Sequence, residues 1–146
     1  MLRRIITEEI AGFMVGLIEL TAAEFYDGDR AFAFKELNDK MIWHHFIEKY
    51  ETKRSLSAEA TVDEIGRILE RERPLISKIS LIDDNTTELV KKIIKQLGKK
   101  YNWNYSVSFD KFYFSPVCRM LSDTHVGLSA LSFDEIIELF GDSVKE

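Results

Sequence analysis

The chain has one cysteine, two prolines, three histidines and no excess of positive charge, and each scarcity removes a class of protein. A lone cysteine, Cys118, rules out an internal disulfide and points to a reducing compartment, so a cytoplasmic location is expected. Only two prolines, Pro74 and Pro116, with 31% charged residues argue against disorder. The most apolar stretch near the N-terminus, Ile10 to Ala23, contains Glu19 and is too short to cross a bilayer, so no membrane role is expected. Arg3 and Arg4 precede it as in a leader peptide, but Glu8 and Glu9 intervene and Thr21-Ala22-Ala23-Glu24 is a poor cleavage site. The 20 basic and 25 acidic residues give a net charge of −5. Before Pro74 the counts are 11 and 15, and from it onward 9 and 10, so neither half carries the basic surplus typical of nucleic-acid binders.

What is present is helical periodicity. Thr7 followed by Glu8 and Glu9 marks a helix start, with Ile10, Phe13, Met14, Leu17, Ile18 and Phe25 on one face. Gly12 and Gly16, four apart, allow close approach of another helix. Tyr26-Asp27-Gly28-Asp29 is a turn, after which Asp29 caps a short helix carrying Phe32, Phe34 and Leu37. A third helix is expected from about Lys40 to Lys49, with Met41, Ile42, His45, Phe46 and Lys49 along one side, then an extended stretch from Tyr50 to Ser57. Thr61-Val62-Asp63-Glu64 has the form of a capping box for a helix with Val62, Ile65, Ile68 and Leu69 inward, stopped by Pro74. Leu75 to Ile82 alternates loosely, as a short strand or a buried linker. Asn85 to Glu88 opens the most regular helix, with Leu89, Val90, Ile93, Ile94 and Leu97 inward and Gly98 in its last turn. An aromatic loop, Tyr101 to Tyr105, precedes a short helix with Phe109, Phe112 and Tyr113, and Pro116 starts another. Ser132 to Glu135 is a second capping box, and Gly141 is expected to end the last helix.

The two halves resemble one another. Leu56-Ser57-Ala58 is followed by Asp63-Glu64-Ile65, and Leu128-Ser129-Ala130 by Asp134-Glu135-Ile136, while Met14, Val15, Ile18 and Tyr26 match Leu89, Val90, Ile93 and Tyr101 at an offset of 75. Capped amphipathic helices resemble each other anyway, so both chance and tandem duplication account for the matches. The expected fold is mainly α: two similar short helical modules packed together, residues 1–73 and 74–146.

The stretch from Phe13 to Arg71, with Tyr50-Glu51-Thr52-Lys53-Arg54-Ser55-Leu56-Ser57 leading into Val62-Asp63-Glu64-Ile65, resembles a family of small bacterial helical domains of unknown function. That family often carries histidine where this chain has Lys53 or Arg54, so no role for that side chain carries over. Its members are often encoded beside ADP-ribosyltransferase-like toxins. The resemblance thus implies an antitoxin or accessory role.

No catalytic fingerprint is present: no nucleophile elbow, phosphate-binding loop or dinucleotide motif. His44 and Glu48 share a helix face at metal-ligand spacing but lack a third ligand, so His44 is read as solvated and His45 as packed on the core. Cys118 with His125, oriented by Asp123, has the composition of a thiolate–imidazole pair. The apolar run Val117, Cys118, Met120, Leu121 makes burial of the thiol the stronger reading. No enzyme, metal or cofactor is therefore expected. The leading expectation is a non-enzymatic protein-binding module, acting on a toxin-like product or on itself as a homodimer, with Trp43, Tyr101, Trp103 and Tyr105 as aromatic contacts. The alternative is nucleic-acid binding, with Lys91, Lys92, Lys95, Lys99 and Lys100 tracking phosphates and the aromatic loop stacking bases. Against it stands a solvated lysine face beside aromatics that fold back onto the core.

Overall fold

In a computed structural model, the described residues are 6–40, 42–52, 57–72, 75, 84–122 and 132–144. They form eight helices and, among the described residues, no strand: α1 (Glu8–Phe25), α2 (Arg30–Asp39), α3 (Trp43–Glu51), α4 (Ala58–Leu69), α5 (Asp84–Tyr101), α6 (Tyr105–Tyr113), α7 (Pro116–Ser122) and α8 (Phe133–Val144). The protein is mainly α, as its periodicity predicts.

Local chemistry fixes most boundaries. The Thr7 hydroxyl accepts from the Ile10 amide at 3.2 Å, with Glu8 and Glu9 in the first turn of α1. Asp29 caps α2 by accepting from the Phe32 amide, and Asn104 caps α6 by accepting from the Val107 amide. At α8 the capping box is reciprocal: the Ser132 hydroxyl accepts from the Glu135 amide at 3.2 Å, and the Glu135 carboxylate accepts from the Ser132 amide at 3.1 Å. Pro116 is the first residue of α7.

Several expected boundaries move. Thr61 is not a cap; α4 opens at Ala58 behind Ser57, whose hydroxyl accepts from the Ala60 amide. The Thr61 hydroxyl instead donates to the Ser57 carbonyl at 2.9 Å, and Glu64 turns to α3. A Thr and a Glu three apart share a face within a helix as readily as at its start. The same helix ends at Leu69, short of Pro74, where Glu70 adopts a left-handed conformation with φ 56°. The third helix begins at Trp43 and includes Tyr50 and Glu51, so that part of the expected extended stretch is helical. Gly98 lies in the last turn of α5 as expected, whereas Gly141 lies inside α8 and does not end it. A methyl at Gly98 would come 3.1 Å from the Trp103 carbonyl, so this glycine admits a returning chain. The expected linker, apart from Leu75, and the segments holding Lys53, Arg54 and Leu128 to Ala130 fall outside the described residues.

The halves correspond at a spacing of 75 residues in the turn before α2 and α6 and again at α4 and α8. The left-handed Asp27 (φ 55°) answers to Asn102 (φ 57°), the cap Asp29 to Asn104, and the cap Ser57 to Ser132 rather than to Ser129. Both last helices bury the same positions: Val62, Ile65 and Gly66 in α4, and Ile137, Phe140 and Gly141 in α8.

One core serves both halves. Buried residues from all eight helices join in a single apolar cluster that includes Ile18, Phe34, Phe46 and Ile65 with Ile93, Phe109, Phe112 and Phe140. At its centre α1 and α5 run antiparallel, since Glu8 meets Lys95 while Gly12 lies beside Lys91. Phe34 of α2 stacks on Tyr113 of α6 with ring centroids 4.8 Å apart. Residues before and after position 74 thus contribute to the same core.

Candidate functional site

Of the four aromatic residues expected at a contact surface, Trp43 is in the core. It is 3% exposed, its indole N–H donates to the Asn38 side-chain oxygen at 2.6 Å, and its ring lies against Phe34. The apolar face of α3 is Trp43, Phe46 and Ile47, rotated from the expected stripe because Trp43 and Ile47, one turn apart, bury more apolar surface than His45 and Lys49 can. Tyr101, Trp103 and Tyr105 are half-buried and packed on the core. Tyr101 stacks on Trp103 at 4.6 Å, and both rings lie over Phe140 at 6.3 Å. The aromatic loop therefore covers α8.

His45 is corrected too. Its ring is at the surface, 43% exposed, with its nitrogen 2.6 Å from the Glu64 carboxylate, which also accepts from Lys49 at 2.9 Å. Burial alone would raise the Glu64 carboxyl, but hydrogen bonds from Lys49 and His45 outweigh it and hold the group below its ordinary value. This cluster ties α3 to α4. His44 and Glu48 are exposed. Among the described residues no group of three His, Cys, Asp or Glu side chains is placed to hold a metal ion.

Cys118 is completely buried, and burial pushes its thiol up to about 12, so it stays protonated at neutral pH and is shielded from solvent. His125 and Asp123 lie outside the described residues. Near Cys118 lies a buried ion pair: the Arg30 guanidinium donates to Glu19 at 2.7 Å, with side chains only 13% and 8% exposed. Tyr113, fully buried beside them, has its hydroxyl pushed far up, by burial first and by the Glu19 charge second. These groups join α1, α2, α6 and α7 across the two halves.

The lysine face is partly committed. Lys91 pairs with Glu88 at 3.0 Å and Lys95 with Glu8 at 2.8 Å, while the Lys100 ammonium lies 5.5 Å from the Tyr101 ring centre. Lys92 and Lys99 are exposed. Lys91, Lys92 and Lys95 border a half-open groove of about 600 Å³ between α1 and α5, whose opposite wall bears Glu8 and Glu9.

Two aromatic residues that sequence reasoning missed form an exposed patch: Phe32 (41% exposed) and Phe114 (56%). Phe32 sits edge-on to Tyr26 at 4.9 Å, and Phe114 leans on Phe34 at 5.6 Å, so each ring is fixed along one side and bare on the other. Between them is a shallow groove of about 470 Å³ rimmed by Asp27, Asp29, Lys35 and Arg119. The signal was available. Phe32 and Phe34 are two apart on a helix and cannot share a face, and three successive aromatics, Phe112, Tyr113 and Phe114, cannot all turn inward.

No family model, curated protein or solved structure matches this chain. Among the described residues, no helix is long and apolar enough to cross a membrane.

Proposed function

We propose that this chain is a non-enzymatic protein-binding module whose contact surface centres on Phe32 and Phe114. The observation that carries the reading is the pairing of two exposed phenylalanines on one groove with a polar rim of both signs. Energetically dominant contacts tend to be aromatic, held rigid before binding and ringed by polar groups. Both rings have their inner edges fixed by core neighbours, so little side-chain freedom remains to be lost on association.

The family resemblance of residues 13–71 makes a toxin-like product of a neighbouring gene the first partner to test, with an antitoxin-like or accessory role for this chain in the cytoplasm. A homodimer through the same patch is the second. The matching caps and buried positions at a spacing of 75 favour tandem duplication as the origin of the two modules. Nucleic-acid binding is less favoured, because Glu8, Glu9 and Glu88 stand among the lysines that would track phosphates.

The test is co-purification with the neighbouring gene product, together with light scattering of the chain alone, for the parent and for Phe32→Ala with Phe114→Ala. The expected result is loss of the complex, or of the dimer, with an unchanged far-UV circular dichroism spectrum. Assembly that survives both substitutions would contradict the reading.

A further inference from the structure

We propose that the groove between α1 and α5 is a small-molecule site for a zwitterion with an apolar body, the chemistry of a free apolar dipeptide. Its volume, about 600 Å³, lies within the range of roughly 300–1,000 Å³ common to small-ligand sites. The floor is apolar, made by Ala11, Gly12 and Val15 of α1 and Ile94 of α5. Aromatic groups enclose it: Phe13, stacked on Tyr50 with centroids 4.5 Å apart, and Tyr105 from the start of α6.

Gly12 contributes bare backbone to this floor, with the Lys91 side chain passing over it. It lies inside a regular helix, where glycine is less stable than alanine. A methyl there would meet only the Lys91 side chain, at an ordinary 3.7 Å. No packing within the molecule demands glycine at this position, yet the bare backbone deepens the groove floor.

The walls specify charge. Glu8 and Glu9 come from α1, and Lys91, Lys92 and Lys95 from α5, with Glu88 at the end of the basic wall. Three carboxylates and three ammonium groups cancel overall, so an occupant of one sign would face repulsion from one wall. An occupant with an ammonium at one end and a carboxylate at the other meets both. The Lys95–Glu8 pair that now joins the walls is well exposed, 42% and 69%, and contacts of that kind contribute little, so ligand termini can replace them. Glu9 accepts from the Tyr50 hydroxyl at 2.7 Å, which holds that carboxylate beside the aromatic end. Among the described residues Lys92 has no ion-pair partner, leaving an ammonium available for a ligand carboxylate.

The test is an amide-resolved nuclear magnetic resonance titration of the intact chain with phenylalanyl-leucine, its N-acetyl form and its C-terminal amide. The proposal expects saturable shifts at Gly12 and Lys92, and weakening on the order of tenfold on capping either end. Gly12→Leu fills the floor and is expected to abolish the shifts while the far-UV spectrum is retained; the capped ligands test the same claim on the parent chain. Phe32→Ala is expected to leave them intact, which separates this site from the protein-binding patch. Absence of saturable shifts at millimolar ligand, equal binding of the capped forms, or binding that survives Gly12→Leu in the folded chain would each overturn the proposal.

Discussion

The same backbone position behaves in opposite ways in the two halves. Glu19 of α1 and Arg30, the first residue of α2, correspond at the 75-residue spacing to Ile94 of α5 and Tyr105, the first residue of α6. In the first half these positions hold a buried ion pair next to Tyr113 and Cys118; in the second half Ile94 is packed in the core and Tyr105 lies half-buried at the edge of the α1–α5 groove. Caps and left-handed turns repeat between the halves, and side-chain chemistry decides whether the resulting junction is held by an ion pair or by apolar packing. Backbone instructions set the frame, while a few substitutions within it set the surface.

The largest expected effect comes from breaking the lock. Glu19→Ile removes one carboxylate partner from the largely buried Arg30 guanidinium and is expected to cost about 3 kcal/mol, measured by urea denaturation. Adding Arg30→Tyr, which gives the first half the side chains of the second, is expected to restore most of that loss, because a packed apolar pair of similar volume often equals or exceeds a buried ion pair. A double substitution no better than the single one would show that the correspondence at these positions is only nominal.

Gly66 and Gly141 sharpen the comparison on a smaller scale. A methyl on Gly66 would lie 3.0 Å from both the Arg71 carbonyl oxygen and the Phe25 ring, whereas on Gly141 the nearest atom is the Tyr101 hydroxyl at 3.1 Å. Backbone yields less than the tip of a side chain, so Gly66→Ala is expected to lose about 2 kcal/mol by thermal unfolding and Gly141→Ala clearly less. Equal losses would mean that Tyr101 is held as rigidly as the main chain.

The smallest effect is at the α3–α4 clasp. The folded Glu64 carboxyl lies below its ordinary 4.5, so its stabilisation is full above that value and disappears as pH falls through the lower folded one. Glu64→Gln is expected to cost about 1 kcal/mol at neutral pH and to flatten the acid limb of the stability profile, read from melting temperature against pH. An unchanged acid limb would place the pH sensitivity elsewhere.

Helix existence and inward stripes were legible from sequence because they depend on local periodicity: Val90, Ile93, Ile94 and Leu97 are all buried as their spacing requires. So was the reciprocal box at Ser132 and Glu135. Boundaries failed where one residue type suits two roles, as with Thr61 and Glu64, or where a glycine serves tertiary approach, as with Gly141 beneath the Tyr101 hydroxyl. The candidate surface was the least legible part. Trp43 carries a large aromatic ring suited to an interface, but whether it meets a partner or the core depends on how α3 is rotated against α2, which no local pattern specifies. Phe32 and Phe114 were readable only by exclusion, since their neighbours Phe34 and Tyr113 had first claim on the interior.

The two halves form one cooperative body around a shared core. Each half holds one tryptophan, Trp43 in the first and Trp103 in the second. Urea unfolding of Trp43→Phe and Trp103→Phe, each followed by fluorescence of the remaining indole and by circular dichroism, reads the halves separately. Within each variant the account predicts that the two probes report a single coincident transition; a fluorescence midpoint clearly displaced from the helical one would contradict it.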